Sequence, residues 1–114
     1  MDNIAYRLRF FGGEHDGETY LLDKSRSTII GRSPSSTIYI RDKHISRVHC
    51  QVTVSDEGCV LTDLQSTNGT YLNGTKITSH ALNPGDEVRI GITNFRLEAV
   101  ESSEDEGQTS TVKL

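Results

Sequence analysis

The stretch Ser66-Thr67-Asn68-Gly69-Thr70-Tyr71-Leu72-Asn73-Gly74-Thr75-Lys76-Ile77 reads as a polar loop, a short strand, a two-residue turn and a second strand. Asn73-Gly74 sits between two β-prone triplets, and Asn and Gly are the residues that accept the positive φ of a tight hairpin turn. Asn73 and Gly74 are therefore given a structural role. Working outward, period-2 alternation or short apolar runs recur at residues 6–11, 19–22, 28–30, 37–40, 48–54, 60–64, 87–90 and 95–100. Turn residues separate them, as at Asp16-Gly17, Asp56-Glu57-Gly58 and Asn83-Pro84-Gly85-Asp86. No segment carries an amphipathic helix of three turns. Many short strands at regular spacing imply an antiparallel sandwich or barrel.

Three polar clusters fall at loop positions between these strands: Gly31-Arg32-Ser33, Ser46-Arg47-Val48-His49, and Ser66-Thr67-Asn68-Gly69. They bring an arginine, several hydroxyls and exposed loop N–H groups, which is the inventory a phosphate needs. A phosphorylated side chain presents about −1.5 to −2 charges and three strong acceptor oxygens. Arg32 can supply the planar fork, and Ser46 and Thr67 the neutral donors. Holding such a group requires no base and no nucleophile, so the pattern fits recognition and not turnover.

In this order and spacing, the run GRS, SRVH, STNGTYLNG resembles the forkhead-associated (FHA) domain over about residues 6–100. That resemblance implies an all-β fold of FHA/SMAD type, a twisted antiparallel β-sandwich of about eleven strands. It also implies the reading of phosphothreonine. By the same resemblance Arg32 binds phosphate, Ser46 donates its hydroxyl to it, and Thr67 adds a further contact. Asn68 grips the backbone of the bound peptide, and Gly69 lets the loop turn. Arg47 stands where many members carry Asn or another polar residue, and either adds a second charge to the site or lies along the surface. His44 falls in the loop the family uses to read residues C-terminal to the phosphothreonine, so it is the specificity candidate. In the same pattern His49 is architectural.

Gly31 frees the backbone for a sharp exit from its strand, which lets Arg32 sit rigidly at a loop mouth. An arginine there can instead pair with a carboxylate such as Asp63. Ser46, His49 and Asp63 together raise a Ser/His/Asp reading. If Ser46 and Arg47 begin the strand at 48–54, residues three apart point to opposite faces and cannot join nucleophile to base. With no P-loop, nucleophile elbow or paired carboxylates in the sequence, no catalytic residue is assigned and an enzyme is not expected.

At 114 residues the chain is long enough for one domain with its own core. The domain is placed at residues 1–100 and an acidic flexible tail or linker at 101–114, where Glu101, Glu104, Asp105 and Glu106 face only Lys113. The net charge of −4 and the absence of aromatics among the basic residues argue against nucleic acid. Apolar content of 33% without a spanning run, and an N-terminus without an apolar stretch, lead to an expected cytoplasmic setting and no membrane partner. Cys50 and Cys59 are expected as buried free thiols. The spacing of His44, His49, Cys50 and Cys59 matches no zinc pattern, so neither metal nor cofactor is expected. Residues 24–47 hold Lys24, Arg26, Arg32, Arg41, Lys43 and Arg47 against Asp42, a local net of +5 that would steer an anionic peptide.

The expected partners are phosphothreonine-containing proteins or peptides, including a Ser/Thr kinase or its substrates, met by a monomer. The alternative is a phospho-independent assembly module on the same fold. Thr109 or Thr111, if phosphorylated, is a candidate to fold back into the Arg32 site.

Overall fold

The computed structural model describes residues 4–101 of the chain. The acidic segment beyond them, with Thr109 and Thr111, lies outside the described residues. Eleven strands follow in order: β1 (Ile4–Phe11), β2 (Thr19–Leu21), β3 (Thr28–Gly31), β4 (Ile38–Tyr39), β5 (Cys50–Ser55), β6 (Gly58–Asp63), β7 (Thr70–Leu72), β8 (Thr75–Ile77), β9 (Ser79–Leu82), β10 (Glu87–Ile90) and β11 (Thr93–Glu101). One sheet has the order β2-β1-β11-β10-β7-β8 and the other β4-β3-β5-β6-β9. Alternate side chains of each meet in the core, where Leu8, Ile30, Leu61, Ile90, Phe95 and Leu97 are fully buried. The fold is thus the expected all-β sandwich of eleven strands.

Three details depart from the sequence-based expectation. β9, whose Ser79, His80 and Ala81 are all exposed, was not anticipated, because an edge strand with one buried residue shows no alternation. The strand expected at 48–54 begins only at Cys50, so Ser46, Arg47, Val48 and His49 belong to a loop. The strands are also not all antiparallel: β3 and β4 run parallel, pairing Ile30 with Ile38 and Gly31 with Tyr39. A pairing this short is closed by the Arg32–Thr37 loop without a helical crossover.

The Asn73-Gly74 hairpin is built as expected, with φ of 50° at Asn73 and 88° at Gly74 between β7 and β8. Asn73 does more than turn the chain. Its amide donates to Asp86 at 3.1 Å and its Oδ1 accepts the Glu87 N–H at 2.9 Å, which ties the hairpin to β10.

Cys50 and Cys59 are buried free thiols. Their strands are neighbours, but Cys50 faces Asp63 and Cys59 faces Val54 in the register, so they do not meet. Burial raises both thiol pKa values, with Cys59 pushed up to about 11. Neither should react with a disulfide reagent at pH 8 while the protein is native. Two equivalents should titrate on unfolding, and a native-state thiol reacting at the rate of free cysteine would show this account to be wrong.

Candidate functional site

Three loops gather at one end of the sandwich. They are the β3–β4 loop with Arg32 and Ser33, the β4–β5 loop with His44 to His49, and the β6–β7 loop with Ser66 to Gly69. What brings the first two together is the close approach of Gly31 to the backbone of Arg47. A Cβ at residue 31 would fall on the Arg47 carbonyl, 2.8 Å from its carbon, although the φ of Gly31 is not in the left-handed region. The glycine is required by packing, and the sharp exit inferred from the sequence is not the reason. The Arg32 N–H then donates to the Ser46 carbonyl and the Ser33 N–H to that of Arg47, both at 3.0 Å.

Ser46 joins all three loops. Its carbonyl holds Arg32, its N–H donates to Nδ1 of His49 at 3.0 Å, and its Oγ accepts the Thr67 N–H at 2.9 Å. The Ser46 hydroxyl has no acceptor among the described residues, so its proton is uncommitted. Arg32 is anchored by one nitrogen only, Nε to the Ile45 carbonyl at 2.9 Å. Its two terminal nitrogens have no partner among the described residues, and it forms no ion pair with Asp63. That carboxylate instead accepts from Ser66 and Thr70, an arrangement that fixes the β6–β7 loop. Asn68 donates to the His44 carbonyl at 2.9 Å.

His49 is fully buried. Because the Ser46 N–H can only donate, Nδ1 must accept, and Nε2–H donates to the Gly69 carbonyl at 2.9 Å. Both ring nitrogens serve backbone groups, and neither reaches a hydroxyl. The triad reading therefore fails, though not through strand faces: Ser46 and His49 sit in a loop and do touch, but through the Ser46 backbone. Burial lowers the His49 pKa, outweighing the Gly69 carbonyl and the Asp63 charge.

The unfolded chain, with an ordinary value of about 6.5, then binds more protons than the native state near that pH. The contribution of His49 to stability is complete above about pH 6.5 and is lost as pH falls through its lowered native value. His15, held between Glu18 and the Tyr39 carbonyl, has a raised pKa and acts in the opposite direction. A His15→Gln background should therefore show a lower Tm at pH 5.5 than at 7.5. An unchanged Tm there would count against the buried neutral ring.

Two acidic residues that position the site, Asp63 and Asp42, were not singled out for that role in the sequence. Asp42 is buried and accepts the N–H groups of His44 and Ile92, which pins the β4–β5 loop to the turn before β11. Burial alone would raise its pKa, but these bonds outweigh it and hold the carboxyl below its ordinary value. His44 Nδ1 lies 3.4 Å from the same carboxylate, with its side chain half exposed. The Asp-x-His spacing was visible but has no signal of its own.

The cationic field read from residues 24–47 shrinks in the fold. Lys24 pairs with Asp56 at 2.8 Å, Arg26 with Asp23 at 3.5 Å and Arg41 with Glu14 at 2.8 Å. Arg32, Lys43 and Arg47 remain without an ion-pair partner among the described residues, and all three lie on the loops of the site. Among those residues, no cluster of three or more His, Cys, Asp or Glu is placed to hold a metal ion.

A loop-borne arginine fork, a serine hydroxyl with an uncommitted proton and an exposed asparagine, mounted on an eleven-stranded sandwich, define a class. The chain belongs to the FHA domain family, the phosphothreonine-dependent interaction modules, whose profile matches residues 28–91. It is 39% identical over 89 residues to an oxoglutarate dehydrogenase inhibitor of Corynebacterium diphtheriae, covering 78% of this chain and 60% of that one. It is 37% identical over 100 residues to the glycogen accumulation regulator GarA of Mycobacterium tuberculosis, covering 85% of this chain and 60% of that one. A structure solved in a study of phosphothreonine-dependent FHA domain interactions superposes with a TM-score of 0.76 at 30% identity. It covers 82% of this chain and 95% of its own. The chain thus spans about three fifths of the length of the curated relatives it matches.

Proposed function

We propose that this chain docks phosphothreonine peptides at the end of the sandwich, as a cytoplasmic monomer serving Ser/Thr kinase signalling. Arg32 takes two phosphate oxygens with its free terminal nitrogens, Ser46 donates its hydroxyl, and Thr67 adds a further donor. Arg47 brings the second charge. Asn68 exchanges its bond to the His44 carbonyl for one to the peptide backbone, and His44 reads a flanking residue. The observation that supports this reading is the bonding of Ser46, which ties Arg32 and Thr67 to one point and leaves its hydroxyl proton without an acceptor among the described residues. The relatives named for inhibiting oxoglutarate dehydrogenase and for regulating glycogen accumulation support a regulatory duty, with a kinase, its substrate or a metabolic enzyme as partner.

The test is calorimetric titration against a degenerate phosphothreonine library and its phosphoserine and unphosphorylated counterparts. Submicromolar to tens of micromolar binding is expected for good phosphothreonine sequences. One buried methyl, worth about 0.8 kcal/mol, sets roughly fourfold as the least preference over phosphoserine. Equal binding of the unphosphorylated set would replace this reading with phospho-independent assembly.

A further inference from the structure

Outside the phosphate loops, the cations of the six-stranded sheet's outer face divide into two groups. Arg7 and Arg9 share Glu98, each at 2.8 Å, and Arg96 pairs with Glu87 at 2.9 Å. Lys76 and Arg89 have no ion-pair partner among the described residues, and both are exposed. They flank one tyrosine: Tyr71 pairs with Lys76 across β7–β8 and with Arg89 across β10–β7. The Arg89 guanidinium stacks on the Tyr71 ring, 4.5 Å from its centroid.

This row begins at the site. A Cβ on Gly69 would lie 2.9 Å from Cε of Lys76 and 3.2 Å from the Tyr71 ring, so the lysine stem and the ring lie over the glycine that follows Asn68. Arg32, Lys43, Arg47, Lys76 and Arg89 are the described basic residues left without a carboxylate. Three of them lie on the phosphate loops, and two continue away from those loops along the sheet. A cation held beside an aromatic ring and left unpaired keeps its charge available for a ligand.

We infer that Lys76, Tyr71 and Arg89 form a second, anion-binding subsite, and that the partner carries acidic or additionally phosphorylated residues near its phosphothreonine. The inference rests on the phosphothreonine reading of the first site. Adjacent strands lie about 4.8 Å apart, so the row from β8 to β10 is roughly 10 Å wide. Gly69 and Tyr71 are two residues apart in sequence. An extended peptide advances about 3.3 Å per residue, so the anionic groups fall roughly three to six residues from the phosphothreonine.

The experiment uses three phosphothreonine peptides. One has neutral flanks, one carries three glutamates three to six residues N-terminal to the phosphothreonine, and one carries them C-terminal to it. Each is titrated against the wild-type chain and a Lys76→Gln/Arg89→Gln variant. One acidic peptide should bind wild type about three- to tenfold more tightly than the neutral peptide, with the gain shrinking as salt rises. The double variant should lose that gain and bind the neutral peptide like wild type. No gain on either side, or a gain that the double variant keeps, overturns the subsite and leaves the phosphothreonine reading standing. Failure of the wild type to bind even the neutral peptide overturns both.

Discussion

Arg32→Ala is expected to reduce phosphothreonine-peptide affinity by roughly 100- to 1,000-fold while the protein stays folded. The loss follows from two charge-assisted bonds of about 1.5–3 kcal/mol each, partly compensated by water in the variant. The fold survives because the arginine contributes little to it. Its side chain is exposed and makes one hydrogen bond, from Nε to the Ile45 carbonyl. Removing that bond costs about 1 kcal/mol. Arg32→Lys keeps the charge but not the fork, and should fall between, at about a tenfold loss. Calorimetry paired with circular dichroism checks both variants. A folded Arg32→Ala protein that held the peptide within threefold of wild type would remove Arg32 from the site.

His49→Ala is expected to do the reverse, lowering stability before anything else. The ring is fully buried, and it satisfies the Ser46 N–H and the Gly69 carbonyl at once. Truncation leaves a buried donor and acceptor without partners, at about 1–3 kcal/mol each, and a cavity where the ring stood. A total of about 3–5 kcal/mol is a large part of the 5–15 kcal/mol typical of a domain, and translates into a Tm lower by roughly 15–30 °C. Thermal unfolding at pH 7.5 reads this directly. A Tm within about 5 °C of wild type would show that the ring does not hold the loops together. The contrast with Arg32→Ala would separate the residue proposed to meet the ligand from the residue proposed to build the place where it is met.

The hairpin at Asn73-Gly74 was legible because a type of turn demands particular residues, and the core strands because one buried face imposes alternation. The candidate site residues were legible as a spaced set of donors, and the loops do bring Arg32, Ser46, Thr67 and Asn68 together; the phosphate they would hold is the proposal that the titrations test. Other features depend on what the chain meets at a distance. Gly31 looked like a bend, whereas what excludes a side chain there is the Arg47 carbonyl, sixteen residues on in the sequence. The apolar alternation of Val48, Cys50 and Val52 extended upstream of the true start of β5, but in the loop the pattern breaks: Val48 is exposed and His49 is buried, because the ring is held there by Ser46 and Gly69. Which cations are neutralised could not be read either. Asp56 neutralises Lys24 from thirty-two residues away, while Arg47 finds no carboxylate.

β11 leaves the turn that Asp42 pins to the β4–β5 loop and ends where Glu101 pairs with Ile4, which places both ends of the described chain at the pole opposite the three candidate-site loops. Neighbouring polypeptide can therefore be spliced to this module without crossing its mouth.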